Sequence, residues 1–572
     1  MRIESRVLPE QLPDLGDLPP LLTRLYAARG VRTARELDRS LRALLPWNLF
    51  KGIDRAVQVL RQALELRQSI LIVGDFDCDG ATASAVAVLG LRALGAARVD
   101  YLVPSRFEYG YGLTPEIVEV ALQRQPDVLV TVDNGISSVE GVAAARAAGL
   151  RVVVTDHHLP GAQLPEADAI VNPSQPGCDF PSKAIAGVGV IFYVLMALRA
   201  ALREDGWFSP ARPEPNLGEL LDLVALGTVA DVVPLDANNR ILVHQGLARI
   251  RAGRCRPGIR ALLEVARRPA ERLASTDLGF IIGPRLNAAG RLDDMSLGIE
   301  CLLTDDEQAA RDMAGELDSL NRDRKAIEQG MQQQALQMLD SASLQESELP
   351  FGLCLFDPQW HQGVIGILAS RLKERYHRPV IAFADAGDGQ IKGSARSIAG
   401  LHIRDALDSV AAANPGLISK FGGHAMAAGL SLPAAHFEAF CQAFDQEVRR
   451  QLSAEDLTGR LLCDGELAAE EFSLQLAAAL RDAGPWGQHF PEPGFHGEFT
   501  LIQQRLVGER HLKLVLQPPG SAEVLDAIAF NVDTQVWPDP NIRRARLVYS
   551  LDVNEYRGRQ SLQLMVRHLQ AC

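Results

Sequence analysis

Three carboxylates at alternate positions, Asp75, Asp77 and Asp79, follow directly on an apolar run in the segment SILIVGDFDCDGATASAV, residues 69–86. Acids spaced this closely raise one another's pKa unless a cation sits among them. Further along, Asp133 stands in TVDNG, His157 and His158 in TDHH, and Asp231 in LVALGTVADVVPL, an apolar stretch where a carboxylate needs a partner. Singly, each has an ordinary explanation: a turn or helix cap for the acids, a surface or core position for the histidines. As a set, mixed Asp and His donors suit two Mn2+ or Mg2+ ions. Ions about 3.5–4 Å apart share a carboxylate, lower the pKa of a water and clamp a phosphoryl group. A calcium loop of the EF-hand type fits poorly, because its twelfth position requires a bidentate Glu and here that position is Val86. Such a loop also follows a helix, whereas residues 70–73 have the pattern of a strand. The lack of Cys in the set argues against structural zinc.

The elements that must position these side chains alternate as in a parallel α/β domain. Strands are predicted at residues 70–73, 99–103, 128–132, 151–155 and 169–171, with helices at 81–95, 114–124 and 138–149. Thr114 is the expected cap of the second helix, with Pro115 in its first turn. Short, wholly apolar runs indicate strands covered on both faces. In open sheets of this kind ligands gather at the carboxyl ends of the strands. That is where GDFDCDG, TVDNG and TDHH fall.

Residues 303–342 are polar, helix-favouring and free of proline, which predicts one long connecting helix or two. A second α/β unit follows, with strands at 352–356 and 379–384 and a helix at about 363–376, and it closes with the glycine-rich KFGGHAMAAGLSL, residues 420–432. Beyond about residue 455 short strands predominate, which suggests a small β-barrel of OB type. The first 50 residues read as short helices.

A chain of 572 residues is too long for one core. Its longest uncharged apolar run covers the fifteen residues 184–198, short of the roughly 20 needed to span a bilayer. The opening MRIESRVLPEQLPDL lacks the apolar core of a signal peptide, and eight cysteines scattered without a C-x-x-C pair fit a reducing compartment. The protein is expected to be cytoplasmic, with no membrane association. A net charge of −13 excludes a generally basic, sticky protein but leaves room for a local nucleic-acid groove. The last 72 residues, with nine Arg/Lys against seven Asp/Glu, are mildly basic.

In order, DFDCDG, VDNG, TDHH and GTVAD resemble the four motifs of the DHH phosphoesterases. GPRLNAAGRL (283–292), DPQWHQGVIGILASRL (357–372), KGSARS (392–397) and FGGHAMAAG (421–429) resemble further motifs of that superfamily's single-strand-specific DNA exonucleases. The resemblance implies a multidomain α/β architecture. An N-terminal helical segment (1–50) precedes a parallel-sheet DHH phosphoesterase domain (51–302) and a connecting helix (303–345). A second α/β domain of DHHA1 type (346–454) and an OB-fold-like β-barrel (455–572) complete it. It implies that Asp77 and Asp133 hold one metal and that Asp79, Asp133, His157 and Asp231 hold the other. His158 is expected to act catalytically at the scissile phosphate, together with Asp75. Many members carry a His four residues before the second Asp; here that residue is Val73, and Asp75, water or a substrate oxygen would complete the shell.

Substrate-holding residues are expected elsewhere. VPSRFEYGYGL places Arg106 among aromatics that include Tyr111, a phosphate holder beside base-stacking rings, although an ordinary turn would look the same. Arg285, Asn287 and Arg291 lie in one short glycine-flanked segment, and Ser394 and Arg396 alternate on one strand face. By resemblance Arg285, Ser394, Arg396 and His424, with backbone amides around Gly423, belong near a pocket for the 5′-terminal phosphate. Trp360 and His361 would stack on or contact the nucleotide. The implied activity is 5′→3′ hydrolysis of single-stranded DNA to mononucleotides with two Mn2+ or Mg2+ ions, by a monomer acting in recombinational and mismatch repair. A helicase and a single-strand-binding protein are the expected partners, and a cleft beside the long helix, too narrow for duplex, would select single strands. Rival readings are a phosphoesterase for dinucleotides or other small substrates, and a non-catalytic DNA-binding scaffold.

Overall fold

A computed structural model describes residues 1–105, 112–341, 349–556 and 558–572. The chain forms two compact units, one of residues 5–318 with 462–572 and one of residues 1–4 with 319–461. In the larger unit the strands β1 (Ser69–Gly74), β2 (Arg98–Leu102), β3 (Val128–Val132), β4 (Arg151–Thr155) and β5 (Ala169–Val171) form a sheet in the order β2-β1-β3-β4-β5. Every pairing is parallel. The order reverses beside β1, which has β2 on one side and β3 on the other. This creates the crevice at the carboxyl ends where open α/β sheets bind ligands. All residues of β1 beyond Ser69 and all of β3 are buried, as continuous apolar runs require. Helices α1 (Cys78–Ala93), α2 (Pro115–Leu122) and α3 (Val139–Ala147) follow β1, β2 and β3, and Thr114 Oγ1 accepts from the Ile117 amide at the start of α2. Two further apolar helices, α4 (Gly187–Glu204) and α5 (Leu221–Ala230), pack on α1, as does α6 (Gly283–Leu292).

The C-terminal strands close a barrel: Phe495–Val507, His511–Gln517, Leu525–Ala529, Arg544–Tyr556 and Arg559–Ala571. This barrel belongs to the same compact unit as the parallel sheet. Ser275 Oγ donates to the Trp486 carbonyl at 2.6 Å, and the Leu235 amide to the Gln488 carbonyl at 2.8 Å. The first 50 residues help to fasten the seam. The Arg29 side chain, fully buried, meets both Asp464 oxygens at 2.9 Å, and Tyr26 stacks on Trp486 and Phe490. These residues are not only short helices as expected; Arg2–Ser5 is a strand and only Pro20–Ala27 is an α-helix.

A single helix, α7 (Glu307–Ser341), fills the polar stretch. In the smaller unit, strands β6 (Leu353–Phe356), β7 (Val380–Gly387), β8 (Gln390–Arg396), β9 (Lys420–Gly423) and β10 (Ala427–Pro433) form a mixed sheet in the order β9-β10-β8-β7-β6. Only β6 and β7 are parallel. KFGGHAMAAGLSL is thus a β-hairpin with its turn at 424–426. Phe383, Phe440 and Phe444 centre the core beneath it. Among the described residues no helix is long and apolar enough to cross a membrane.

Candidate active site

Backbone geometry forces the acids after β1 together. Asp77 is the N-cap of α1, its Oδ1 accepting from the amides of Asp79 at 2.9 Å and Gly80 at 3.0 Å. Gly80 is required there, because a Cβ would lie 2.4 Å from the Asp75 carbonyl oxygen. Asp79, 1% exposed, accepts from the amides of Gly187 at 2.6 Å and Val188 at 3.0 Å, the first residues of α4. Two helix N-termini therefore meet on one acidic cluster, and their partial positive charge favours it. Asp133 follows β3 with φ +62°, in the left-handed region where a non-glycine residue is strained.

His157 and His158 follow β4, and Asp156 fixes both. Asp156 Oδ1 accepts from the His157 amide at 2.7 Å and the His158 amide at 3.2 Å, and its partner at 2.7 Å is His158 Nδ1. Asp156 Oδ2 accepts from the Ile136 amide at 2.9 Å. His157 Nε2 then points at carboxylates: it lies 3.1 Å from Asp133 Oδ1, 3.5 Å from Asp231 Oδ2 and 4.0 Å from Asp79 Oδ2. Asp231 reaches this point as the C-cap of α5.

The donors fall into three overlapping sets with ligand atoms within 4.8 Å of one another: Asp75, Asp77 and Asp133; Asp79, His157 and Asp231; Asp133, His157 and His158. Asp133 joins the first and last sets and faces His157 of the second. Burial, then the charges of Asp79 and Asp77, holds the Asp133 carboxyl well above the usual carboxylate range. Burial, with Asp77 behind it, pushes Asp79 up to about 7. Asp231 rises for the same reasons, burial first and then the charges of Asp79 and Asp77. An imidazole nitrogen and several carboxylate oxygens converging on common points fit hard or borderline divalent cations.

A measurable consequence concerns the metal-free protein. These carboxyls have folded pKa values above the ordinary value of about 4, so the folded state holds protons that the unfolded state releases. Their contribution to stability is complete below about pH 4 and is lost as pH rises through about 7 for Asp79. With a chelator present, the thermal midpoint is expected to fall between pH 5.5 and about 8. Mn2+ at about a hundred times its Kd should restore about 2.7 kcal/mol. Thermal denaturation at the two pH values, with EDTA or Mn2+, checks this; a metal-free midpoint that rises over that range contradicts it.

His158 is the opposite case. Burial would pull its pKa down, but the hydrogen bond and charge of Asp156, with Asp231 and Asp75 behind, outweigh burial and raise it to about 9.

The remaining expected residues fall in different places. Arg106 and Tyr111 lie outside the described residues. The glycine-flanked segment with Arg285, Asn287 and Arg291 is helix α6, entered through the π-helical turn Leu278–Ile282. Asn287 Oδ1 accepts from the Cys78 amide at 2.8 Å, so its carbonyl oxygen is committed to the start of α1. Gly290 lets α6 approach the chain just ahead of α1; a Cβ there would lie 1.9 Å from the Phe76 carbonyl oxygen. Arg285 is held by Asp318 Oδ1 at 2.8 Å and by the Ile281 carbonyl at 2.6 Å.

In the smaller unit, Arg396 Nη1 donates to Ser394 Oγ at 3.2 Å, next to Gly366, where a Cβ would come within 2.9 Å of both side chains. Gly423 has φ +145° and precedes His424, whose amide donates to the Ala427 carbonyl at 2.8 Å. His361 Nδ1 accepts from the Gly363 amide at 3.1 Å, ahead of helix α8 (Ile365–Tyr376). Trp360 is a correction. It is 4% exposed and its indole N–H donates to Gln334 Oε1 at 3.0 Å, so the ring is interior and not offered for stacking.

Asp156, Gly187 and Val188 hold side chains of the candidate site and were not singled out from the sequence. Asp156 was within reach, being the acid of TDHH itself, but the two histidines beside it drew the assignments, His157 as a ligand and His158 as a catalytic group.

A parallel sheet carrying clustered Asp and His at its switch point defines a DHH-type phosphoesterase core. Residues 69–228 match the DHH family N-terminal domain and residues 349–450 the DHHA1 domain. Residues 463–568 match the RecJ OB domain. The chain is 61% identical to the single-stranded-DNA-specific exonuclease RecJ of Dickeya dadantii over 98% of this chain and 97% of that protein. It is 57% identical to the RecJ of Escherichia coli, over 100% of this chain and 99% of that protein. The crystal structure of RecJ from Thermus thermophilus in complex with Mn2+ superposes with a TM-score of 0.82 at 31% identity, covering 100% of this chain and 80% of that one. A second structure of that protein, in complex with Mg2+, gives 0.76 at 30% identity, covering 100% and 78%. The chain belongs to the RecJ family of DHH exonucleases.

Proposed function

We propose that the protein is a Mn2+- or Mg2+-dependent exonuclease that hydrolyses single-stranded DNA from its 5′ end to mononucleotides, using two ions. The observation that carries this is Asp133, placed between the Asp75–Asp77 set and the Asp79–His157–Asp231 set as a shared carboxylate would be. Relatives named as single-stranded-DNA-specific exonucleases over nearly the whole chain support the substrate.

Bound divalent ions supply an activated water and neutralise charge on the phosphoryl group. Asp77 and Asp133, with Asp75, would hold one, and Asp79, Asp133, His157 and Asp231 the other. His158, locked by Asp156 and protonated at neutral pH, donates a hydrogen bond to the scissile phosphate and stabilises the charge that develops there. Ser394, Arg396 and His424, with the turn after Gly423, bind the 5′-terminal phosphate and set the polarity. The protein acts in recombinational and mismatch repair, as a cytoplasmic monomer beside a helicase and a single-strand-binding protein.

Single-stranded DNA labelled at its 5′ end, incubated with Mn2+ or Mg2+, should release labelled mononucleotide as its first product, while blunt duplex stays intact. Cleavage of a dinucleotide but not of long strands would keep the site and overturn the substrate. Binding of single strands without cleavage would favour a scaffold.

The histidine pair supplies a prediction of its own. His158→Ala should lower kcat by about 10²–10⁴-fold, the usual range for a positioned proton donor. The imidazolium is the working form, so activity is lost as pH rises through its pKa. The alkaline limb should lie at or below about 9, because cations on the neighbouring carboxylates oppose the charge. Asp156→Asn removes the groups that raise His158 and should move that limb to lower pH. A pH–rate profile unchanged in Asp156→Asn would dismiss this role.

A further inference from the structure

Phe280 is 82% exposed, on the π-helical turn Leu278–Ile282 that leads into α6. Its neighbours Leu278 and Ile282 are fully buried, so the turn is anchored while the ring faces outward. The fold makes no use of that ring, and a single π-turn is a recurrent mark of functional positions.

The placement is specific. Gly279 and Gly283 seat the turn directly on the end of α5, where their Cβ positions would lie 3.2 Å from Val229 Cγ1 and 3.1 Å from Ala230 Cβ. The next residue is Asp231, whose Oδ2 faces His157 Nε2 at 3.5 Å. Val232 follows, 61% exposed and with φ +61°, a conformation that is costly for a β-branched residue. A strained, exposed aliphatic side chain thus directly follows a carboxylate of the acidic cluster, and the turn that carries the exposed ring packs on the last residues of the same helix. Phosphate has no affinity for such a surface; the apolar face of a heteroaromatic base does.

Resting on the function proposed above, we infer that Phe280 and Val232 provide an apolar shelf that stacks a nucleobase of the strand next to the scissile phosphate. The shelf reads the presence of a base, not its identity, since every base offers a π-face. It deepens single-strand selectivity, because a base paired within a duplex stack is not free to lie on it.

The test compares wild type, Phe280→Ala and Phe280→Tyr in Mn2+, on 5′-phosphorylated single-stranded DNA and on the same strand with abasic tetrahydrofuran residues at its first four positions. Phe280→Ala should lower kcat/KM on ordinary DNA on the order of tenfold, within the five- to hundredfold range of single base–aromatic stacks. Phe280→Tyr should retain the wild-type value, and on the abasic strand Phe280→Ala and wild type should coincide. Equal kcat/KM for Phe280→Ala and wild type on ordinary DNA overturns the shelf and leaves the ring to a protein partner. A defect of the same size on the abasic strand overturns it too, by showing a structural role. Failure of the wild type to cut either strand is a separate result, and it removes the proposed function itself.

Discussion

Asp133→Asn is expected to abolish nuclease activity, with kcat down on the order of 10³-fold or more, while the protein remains folded. Asp133 contributes to two of the three donor sets and lies 3.1 Å from His157 in the remaining one, so neutralising it removes an anion from both proposed ion positions. Asparagine keeps the size of the side chain and tolerates the left-handed backbone at φ +62° better than most residues. The metal-free stability should move the other way. Asp133 is pushed up by burial and by the charges of Asp79 and Asp77, and its neutral replacement relieves that conflict at pH 8. The expected pattern is therefore a raised thermal midpoint in EDTA, a smaller rise on adding Mn2+, and no cleavage of single-stranded DNA. Measuring all three in one variant separates a metal ligand from a structural carboxylate. A structural Asp133 would lower the midpoint with or without metal.

The candidate site was legible because of where its charge sits. Each acid alone reads as a turn or helix cap, and Asp77 is one, but Asp75, Asp77, Asp79 and Asp133 gathered after two buried apolar strands stand out as a set. The parallel sheet was legible for the same reason: strands covered on both faces leave uninterrupted apolar runs, and Arg151–Thr155 and Ala169–Val171 match the sequence pattern residue for residue. What stayed hidden depends on the backbone or on distant pairing. The amides of Gly187 and Val188 that hold Asp79 come from residues 108 and 109 positions away and carry no side-chain signature. Trp360 looked like a stacking residue because its partner, Gln334, sits in a polar helix that gives no hint of a buried face. The role of the N-terminal segment was equally opaque, since Arg29 and Asp464 are separated by 435 positions. At residues 283–291 the glycines suggested close approach of backbone to a ligand; the approach that Gly290 permits is that of a helix to the Phe76 carbonyl.

Gly187→Ala should cost nearly as much activity as loss of a ligand, on the order of 10²-fold in kcat, although residue 187 has no side chain to lose. A Cβ at this position would lie 2.6 Å from Asp133 Cβ and 2.8 Å from Asp133 Cα, and neither is the end of a flexible chain that can swing aside. Nor can α4 retreat freely, since it is buried over most of its length and its first amides hold Asp79 at 2.6 and 3.0 Å. Whichever side yields, one of the two carboxylates shifts by a large part of an ångström, enough to spoil a constellation that must place ions and phosphate together. Gly189→Ala is the control. It sits on the same helix, and its Cβ would meet the Ile185 side chain at 2.5 Å, so it disturbs packing without touching Asp133. Weaker Mn2+ binding together with lower kcat in Gly187→Ala, and neither in Gly189→Ala, would show that the bare backbone of residue 187 sets the position of the carboxylates. Equal loss of stability in the two variants with activity spared in both would instead assign glycine there to helix packing alone.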